Sequence, residues 1–194
     1  MKNFTITSAI ILILFISMAG CKKDSKNEEI NKNYLKVGSF KCDLSKGILL
    51  KVPYDDTLNC MMLELFSPGI IIHENLTWPD SLSGNGHTIT FIMYNTSGSD
   101  KLPPGEFTVS NPSDTYHSGT LLYPEYLLDW NINQEPDPAF CFVTSGTLKV
   151  IQNGAEYELS FKGKDMTNNT ISCYYKGAIK YYDYYGDKSV TKSN

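Results

Sequence analysis

Residues 147–152 read Thr-Leu-Lys-Val-Ile-Gln, Asn153-Gly154 follows, and 155–161 read Ala-Glu-Tyr-Glu-Leu-Ser-Phe. Alternation of apolar and polar side chains puts one set on each face of an extended strand. Asn-Gly between two such runs is the strongest short hairpin signal, because both positions tolerate positive φ. A polar loop at 163–169 leads to 170–182, where Ile171, Cys173 and Tyr175 share one parity. Gly177 interrupts that run and marks a bulge or bend. Residues 145–183 therefore read as a three-stranded antiparallel meander.

The same period recurs upstream. Runs at 34–40, 48–52, 60–66, 70–72, 88–94 and 106–109 are apolar or alternating, with Gly, Asn, Asp, Pro and Ser clusters between them. No window after residue 21 keeps helical period beyond two turns. The segment 123–130, which contains Pro124, reads as either a short helix or a strand. Many short strands with turn signals between them predict an all-β domain. The long polar loops suit Greek-key crossings, so the expected architecture is an antiparallel two-sheet β-sandwich, with a small β-barrel as the alternative.

The N-terminus has a different character. Lys2 precedes a mostly apolar stretch at 6–18, unbroken over 9–16. A bilayer span needs about 20 apolar residues, so this stretch has the length of a secretory h-region instead. Ser17-Met18-Ala19-Gly20-Cys21 follows, and it resembles the bacterial lipobox, with Met18 where that pattern has Leu. The resemblance implies cleavage between Gly20 and Cys21 and lipid on the Cys21 thiol. A diacylglycerol with an N-acyl chain is enough for stable anchoring. Residues 22–33 are charged and polar without apolar period, as in a tether that cannot bury enough surface to order itself. A charged stretch after the lipid cysteine also resembles the surface-export signal of Bacteroidota lipoproteins. The expected organisation is a signal peptide at 1–20, a lipidated tether at 21–33, a β domain at 34–183 and a flexible tail at 184–194. The expected location is the outer membrane, on the cell surface or the periplasmic face.

About 150 residues make one ordinary domain, which needs no metal to fold. The chain has 17 basic and 21 acidic residues, and every basic residue is Lys. Arginine's planar fork is the favoured reader of phosphates and guanine edges, so its absence argues against nucleic-acid binding. Beyond the anchor lie Cys42, Cys60, Cys141 and Cys173. An even count in an exported chain permits two disulfides, and each cysteine's place in an apolar run equally fits a buried free thiol.

Several motifs resemble those of a known family. Pro104-Gly105-Glu106-Phe107-Thr108, the segment Thr144-Ser145-Gly146-Thr147-Leu148-Lys149-Val150, Gly154-Ala155-Glu156-Tyr157-Glu158-Leu159 and Tyr174-Tyr175-Lys176-Gly177-Ala178-Ile179 resemble steps of small β-rich surface lipoproteins from gut Bacteroidota. The resemblance covers about 34–183. Its motifs are turns and strand alternation, so it implies fold and location and no activity.

No catalytic or metal-binding constellation stands out, and no cofactor is implied. His73, His87 and His117 have no zinc-site spacing, and no GxSxG is present. A hydrolase would need two facing carboxylates, which sequence alone does not show. Trp78, Trp130, Tyr123 and Tyr126 sit among turn residues and are the candidate ligand-binding aromatics, since exposed rings stack on sugars and bases. Asp56-Thr57-Leu58 and Asp80-Ser81-Leu82 resemble the short Bacteroidota O-glycosylation sequence, making Thr57 and Ser81 candidate sites. The expected function is a lipid-anchored module that binds a glycan or an envelope partner and is not an enzyme. The alternatives are an adhesive subunit that pairs through a strand edge and a hydrolase without a recognisable motif.

Overall fold

A computed structural model describes residues 32–55, 58–75, 78–94, 101–110, 117–134 and 140–183. The expected signal peptide with Gly20, Cys21, nearly all of the expected tether, Thr57 and the expected tail at 184–194 lie outside the described residues. The compact unit Asn31–Asn194 holds every described strand and the whole described core, so it has what it needs to fold by itself. The described elements are all strands. They are β1 Tyr34–Val37, β2 Phe40–Asp43, β3 Lys46–Asp55, β4 Leu58–Phe66, β5 Ile70–Asn75, β6 Trp78–Tyr94, β7 Gly105–Val109, β8 Thr120–Asn131, β9 Cys141–Asn153, β10 Glu156–Asp165, β11 Thr170–Gly177 and β12 Lys180–Asp183.

The C-terminal meander follows its alternation. Tyr157, Leu159 and Phe161 of β10 are buried, as are Ile171, Cys173 and Tyr175 of β11. They stand in register, Leu159 beside Val150 and Tyr175, and Phe161 beside Leu148 and Cys173. The tight turn is shifted by one residue from Asn153-Gly154. Asn153 pairs with Glu156, which leaves Gly154 and Ala155 as the loop, with Gly154 at φ 64°. Gly177 ends β11. The chain then bends at Ala178-Ile179, and β12 leaves the meander to pair in parallel with β3.

Segment 123–130 resolves as strand. Tyr123 and Pro124 are a bulge, because Leu122 pairs with Ile92 and Glu125 with Thr90. Tyr123 has φ 43° there. A bulge is a place where a strand tolerates a proline without an N–H to donate.

The pairing does not confirm a two-sheet sandwich. The strands run as one path, β12-β3-β4-β6-β8-β7-β9-β10-β11-β1-β2, with β5 attached to β6. This is a curled open sheet, a half-barrel, and β2 and β12 at its ends do not pair with each other, so the hydrogen bonds do not close a barrel either. Bulges in β8 and β9 add local twist, which lets one sheet curl where a straight one would have to split. The chain itself joins the two ends of the path through short bends. Leu44-Ser45 links β2 to β3, and Ala178-Ile179 links β11 to β12.

The main core fills the inside of the curl. It includes Leu35, Leu49, Leu63, Leu65, Phe91 and Phe161, and the rings of Phe91 and Phe161 meet across it at 5.1 Å. A second cluster, Ile48, Leu50, Phe66, Ile70 and Tyr182, sits on the outer face of β3, β4 and β12. The hairpin of β5 and the first half of β6 folds over this cluster, which explains a 17-residue strand that serves two pairings.

Candidate binding site

Among the described residues no disulfide joins Cys42, Cys60, Cys141 and Cys173. Leu35 pairs with Cys42 on one side and Cys173 on the other. Two strand spacings, about 10 Å between Cα atoms, exceed what a disulfide spans. Burial raises both thiols, Cys42 to about 11. Neither is a nucleophile at neutral pH.

The structure does not gather the candidate aromatics. Tyr126 points into the core, 4 % exposed, and its hydroxyl donates to Asp165 Oδ2 at 2.8 Å. Trp130 is half-buried against the outer cluster, and Tyr123 is exposed on its bulge. Trp78 belongs to β6, with its side chain outside the described residues. Ser81 is exposed and stands in strand β6 opposite His73. The histidines are also apart. His73 Nε2 lies 2.6 Å from Ser83 Oγ, His87 Nδ1 accepts from the Asp129 amide, and His117 Nδ1 lies beside Ser118 O. Among the described residues no three His, Cys, Asp or Glu converge as a metal site.

Tyr126 belongs to a closed end of the curl. Asp165 is 4 % exposed and accepts five hydrogen bonds. Besides Tyr126, Oδ2 receives Asn169 Nδ2 at 3.0 Å, and Oδ1 receives the Thr167 amide, the Thr167 hydroxyl and the Asn169 amide at 2.8–2.9 Å. Burial pushes this carboxyl up, but the hydrogen bonds from Tyr126, Asn169 and Thr167 outweigh it and hold it down at about 2. A charge bonded on every side in this way is a brace for the 165–169 loop, with no lone pair left for a ligand.

The opposite end is open. A cleft of about 570 Å³ lies where the β9–β10 turn faces β3 and β12. Leu49, Ile179 and the rings of Tyr157 and Tyr181 form its apolar lining. Lys101 and Gln152 supply the polar groups, and Gly154 and Ala155 its rim. Register explains the gathering. Leu49 on β3 faces inward beside Tyr181 on β12, and Gln152 pairs with Tyr157 across the hairpin. Burial raises the Tyr157 phenol, partly offset by a backbone hydrogen bond at Leu102, so it is a neutral donor at pH 7. Described residues lining this cleft include no carboxylate, His, Cys or Ser. Its means are ring contact, an amide and one ammonium group, which suit holding a ligand.

A third arrangement lies on the outer face. Lys180, Ile48, Glu64, Thr90 and Glu125 form a continuous cross-strand row. Burial pushes Glu64 up to about 7, with Glu125 adding like-charge repulsion, and burial raises Glu125 as well. Thr88, one step along β6 on the same face, buries a hydroxyl that has no partner among the described residues. Neither glutamate lines the mouth cleft.

Sequence reading missed the cleft residues because each looks like an ordinary strand or turn position. Tyr157 and Tyr181 were legible only as members of an alternation. The one local signal for Glu64 is a carboxylate within the otherwise apolar run 60–66. No family model matches the chain, and no curated protein and no solved structure matches it.

Proposed function

We propose that this chain is a lipid-anchored envelope binding module, tethered through Cys21, that takes a glycan unit into the mouth of its half-barrel. The cleft between β12, β3 and the β9–β10 turn carries this reading. It places two tyrosine rings, an amide and an ammonium group around one concavity of ligand size. Sugars present apolar ring faces that stack on aromatic rings and hydroxyls that bond amides. The lipobox resemblance and the polar tether support the membrane location, on the outer membrane facing the surface or the periplasm.

The adhesive alternative is less well supported by the edges. β2 and β12 at the ends of the path have four residues each, and β5 has six. Short edges with charged side chains, such as Lys41 on β2 and Lys180 on β12, are those that proteins use to block pairing with another chain. The test is a glycan array probed with the unit Asn31–Asn194, followed by titration of any hit against Tyr181→Ala and Gln152→Ala. Binding that weakens in both variants supports the reading. An array without hits, or hits untouched by both substitutions, overturns it.

A further inference from the structure

The β5–β6 hairpin lies over the outer cluster as a flap with a narrow waist. A Cβ on Gly69 would fall 1.9 Å from the Asn85 carbonyl oxygen, and one on Gly84, at φ 94°, would fall 2.3 Å from that of Gly69. Backbones meet here without side chains between them. Beyond the waist, Ile70 and Ile72 pack toward Ile48, Leu50 and Phe66. The register with β6 shifts between His73 and Glu74, with the extra residue on β6. Glu74 keeps the parity of Ile70 and Ile72 on β5, and its carboxylate reaches β12. Lys180 Nζ donates to Glu74 Oε2, and Tyr182 Oη donates to Glu74 Oε1 at 2.5 Å.

A cleft of about 290 Å³ opens beside this contact, between the flap and the bend at Ala178-Ile179. Ile48, Ile72, Ile179 and Tyr175 make its floor, and Lys46, Lys180 and Glu74 stand on its rim. The two lysines arrive there by register. Lys180 is directly opposite Ile48, and Lys46 is two residues before Ile48 on the same face of β3. Lys46 Nζ donates to the Ile70 carbonyl at 3.1 Å. The rim thus holds two ammonium groups and one carboxylate above an apolar floor.

We propose that this second cleft binds a small organic monocarboxylate, whose charged end replaces Glu74 at Lys180 and Tyr182 while its apolar body lies on Ile48, Ile72 and Ile179. Glu74 is itself a carboxylate on a tether, seated on the donors that a soluble one would use. It is also exchangeable, because an exposed Lys–Glu pair is weak and its partners can return to water. Each CH₂ laid on the isoleucine floor adds burial that Glu74 does not provide. A cation would meet two lysines. A phosphate would gain the charge but lose hydration against the apolar floor. Exchange at Glu74 frees the flap at its outer contact, so ligand binding and flap opening are one event. This site shares Ile179 with the mouth cleft but none of its polar groups.

The test uses the unit Asn31–Asn194 with hexanoate, hexan-1-ol and hexylammonium as probes, followed by amide chemical shifts. Hexanoate should perturb Ile72, Ala178 and Lys180, and should bind more tightly than either other probe. Glu74→Gln removes the competing charge and should tighten hexanoate by about fivefold. Lys180→Met should weaken it by about tenfold. The proposal is overturned if hexan-1-ol binds as tightly as hexanoate, if hexanoate perturbs no residue, or if the shifts are confined to Gln152 and Ala155 at the mouth. It is equally overturned if Glu74→Gln leaves hexanoate affinity unchanged. Since Glu74 and Lys180 are exposed, both variants are expected to fold, and their unperturbed spectra verify it. A glycan that binds at the mouth regardless would leave the proposed function standing on its own.

Discussion

The two ends of the β9–β10 hairpin use tyrosine in opposite ways. At Asp165 the chain closes the curl, and Tyr126 spends its hydroxyl on a buried carboxylate that already receives four other hydrogen bonds. Eight residue steps away, about 26 Å along the strand, Tyr157 and Tyr181 border a concavity that no described side chain fills. The closed end satisfies every lone pair of its one charge. The open end leaves rings, an amide and an ammonium group facing a space. Polar groups that are fully bonded internally add rigidity, and groups facing a cleft are left for a ligand. A tyrosine in this fold is thus a brace or a contact according to the end of the strand on which its parity places it.

Substitutions should separate the two ends by what they cost. Asp165→Ala should be the most damaging, about 3 kcal/mol by urea unfolding, because it strands the Tyr126 hydroxyl and the Asn169 and Thr167 donors in a buried site. An unfolding midpoint unchanged by this variant would break the comparison. The next effect is a pH dependence of the outer row. Glu64 is at about 7 folded against an ordinary 4.5, so the folded form binds the proton more tightly. Its contribution is intact below pH 4.5 and is lost as pH rises through 7. Glu64→Gln should therefore stabilise the chain at pH 8 by about 2 kcal/mol and by little at pH 4. Equal effects at both pH values would show that the charge is not what matters there.

Asp165 has the opposite sign. Its folded value near 2 lies below an ordinary 3.8, so the stability it contributes is present above pH 3.8 and is lost as pH falls toward 2. Tyr126→Phe removes one of its five donors and should cost about 1 kcal/mol at pH 7, and it should narrow the acid-side loss. The smallest stability effect belongs to the mouth. Tyr181→Ala should change unfolding free energy by about 1 kcal/mol or less, since the ring is only half-buried, while abolishing glycan retention on the array. If Tyr181→Ala were as costly as Asp165→Ala, the mouth would be another brace.

The alternation in 147–152, 155–161 and 170–175 determined the meander, its inward face and its pairing order, because a period of two leaves only one face to bury. The Asn-Gly step located the turn to within one residue. Gly177 announced the bend that sends β12 to β3. The lipobox-like run at 17–21 carries its own chemical meaning without a fold, and lies outside the described residues. Tertiary structure alone decided that one sheet curls where two were expected, since strand period says nothing about which strands are neighbours. It also decided that four cysteines stay apart, because spacing in a chain does not fix separation across strands. The clefts are the clearest case. Leu49, Gln152, Tyr157 and Tyr181 come from four strands, β3, β9, β10 and β12, and Lys46, Glu74 and Lys180 from β3, β5 and β12. Each is unremarkable in its own segment. Only long-range pairing brings them together, and that pairing rests on burial summed over the whole sheet.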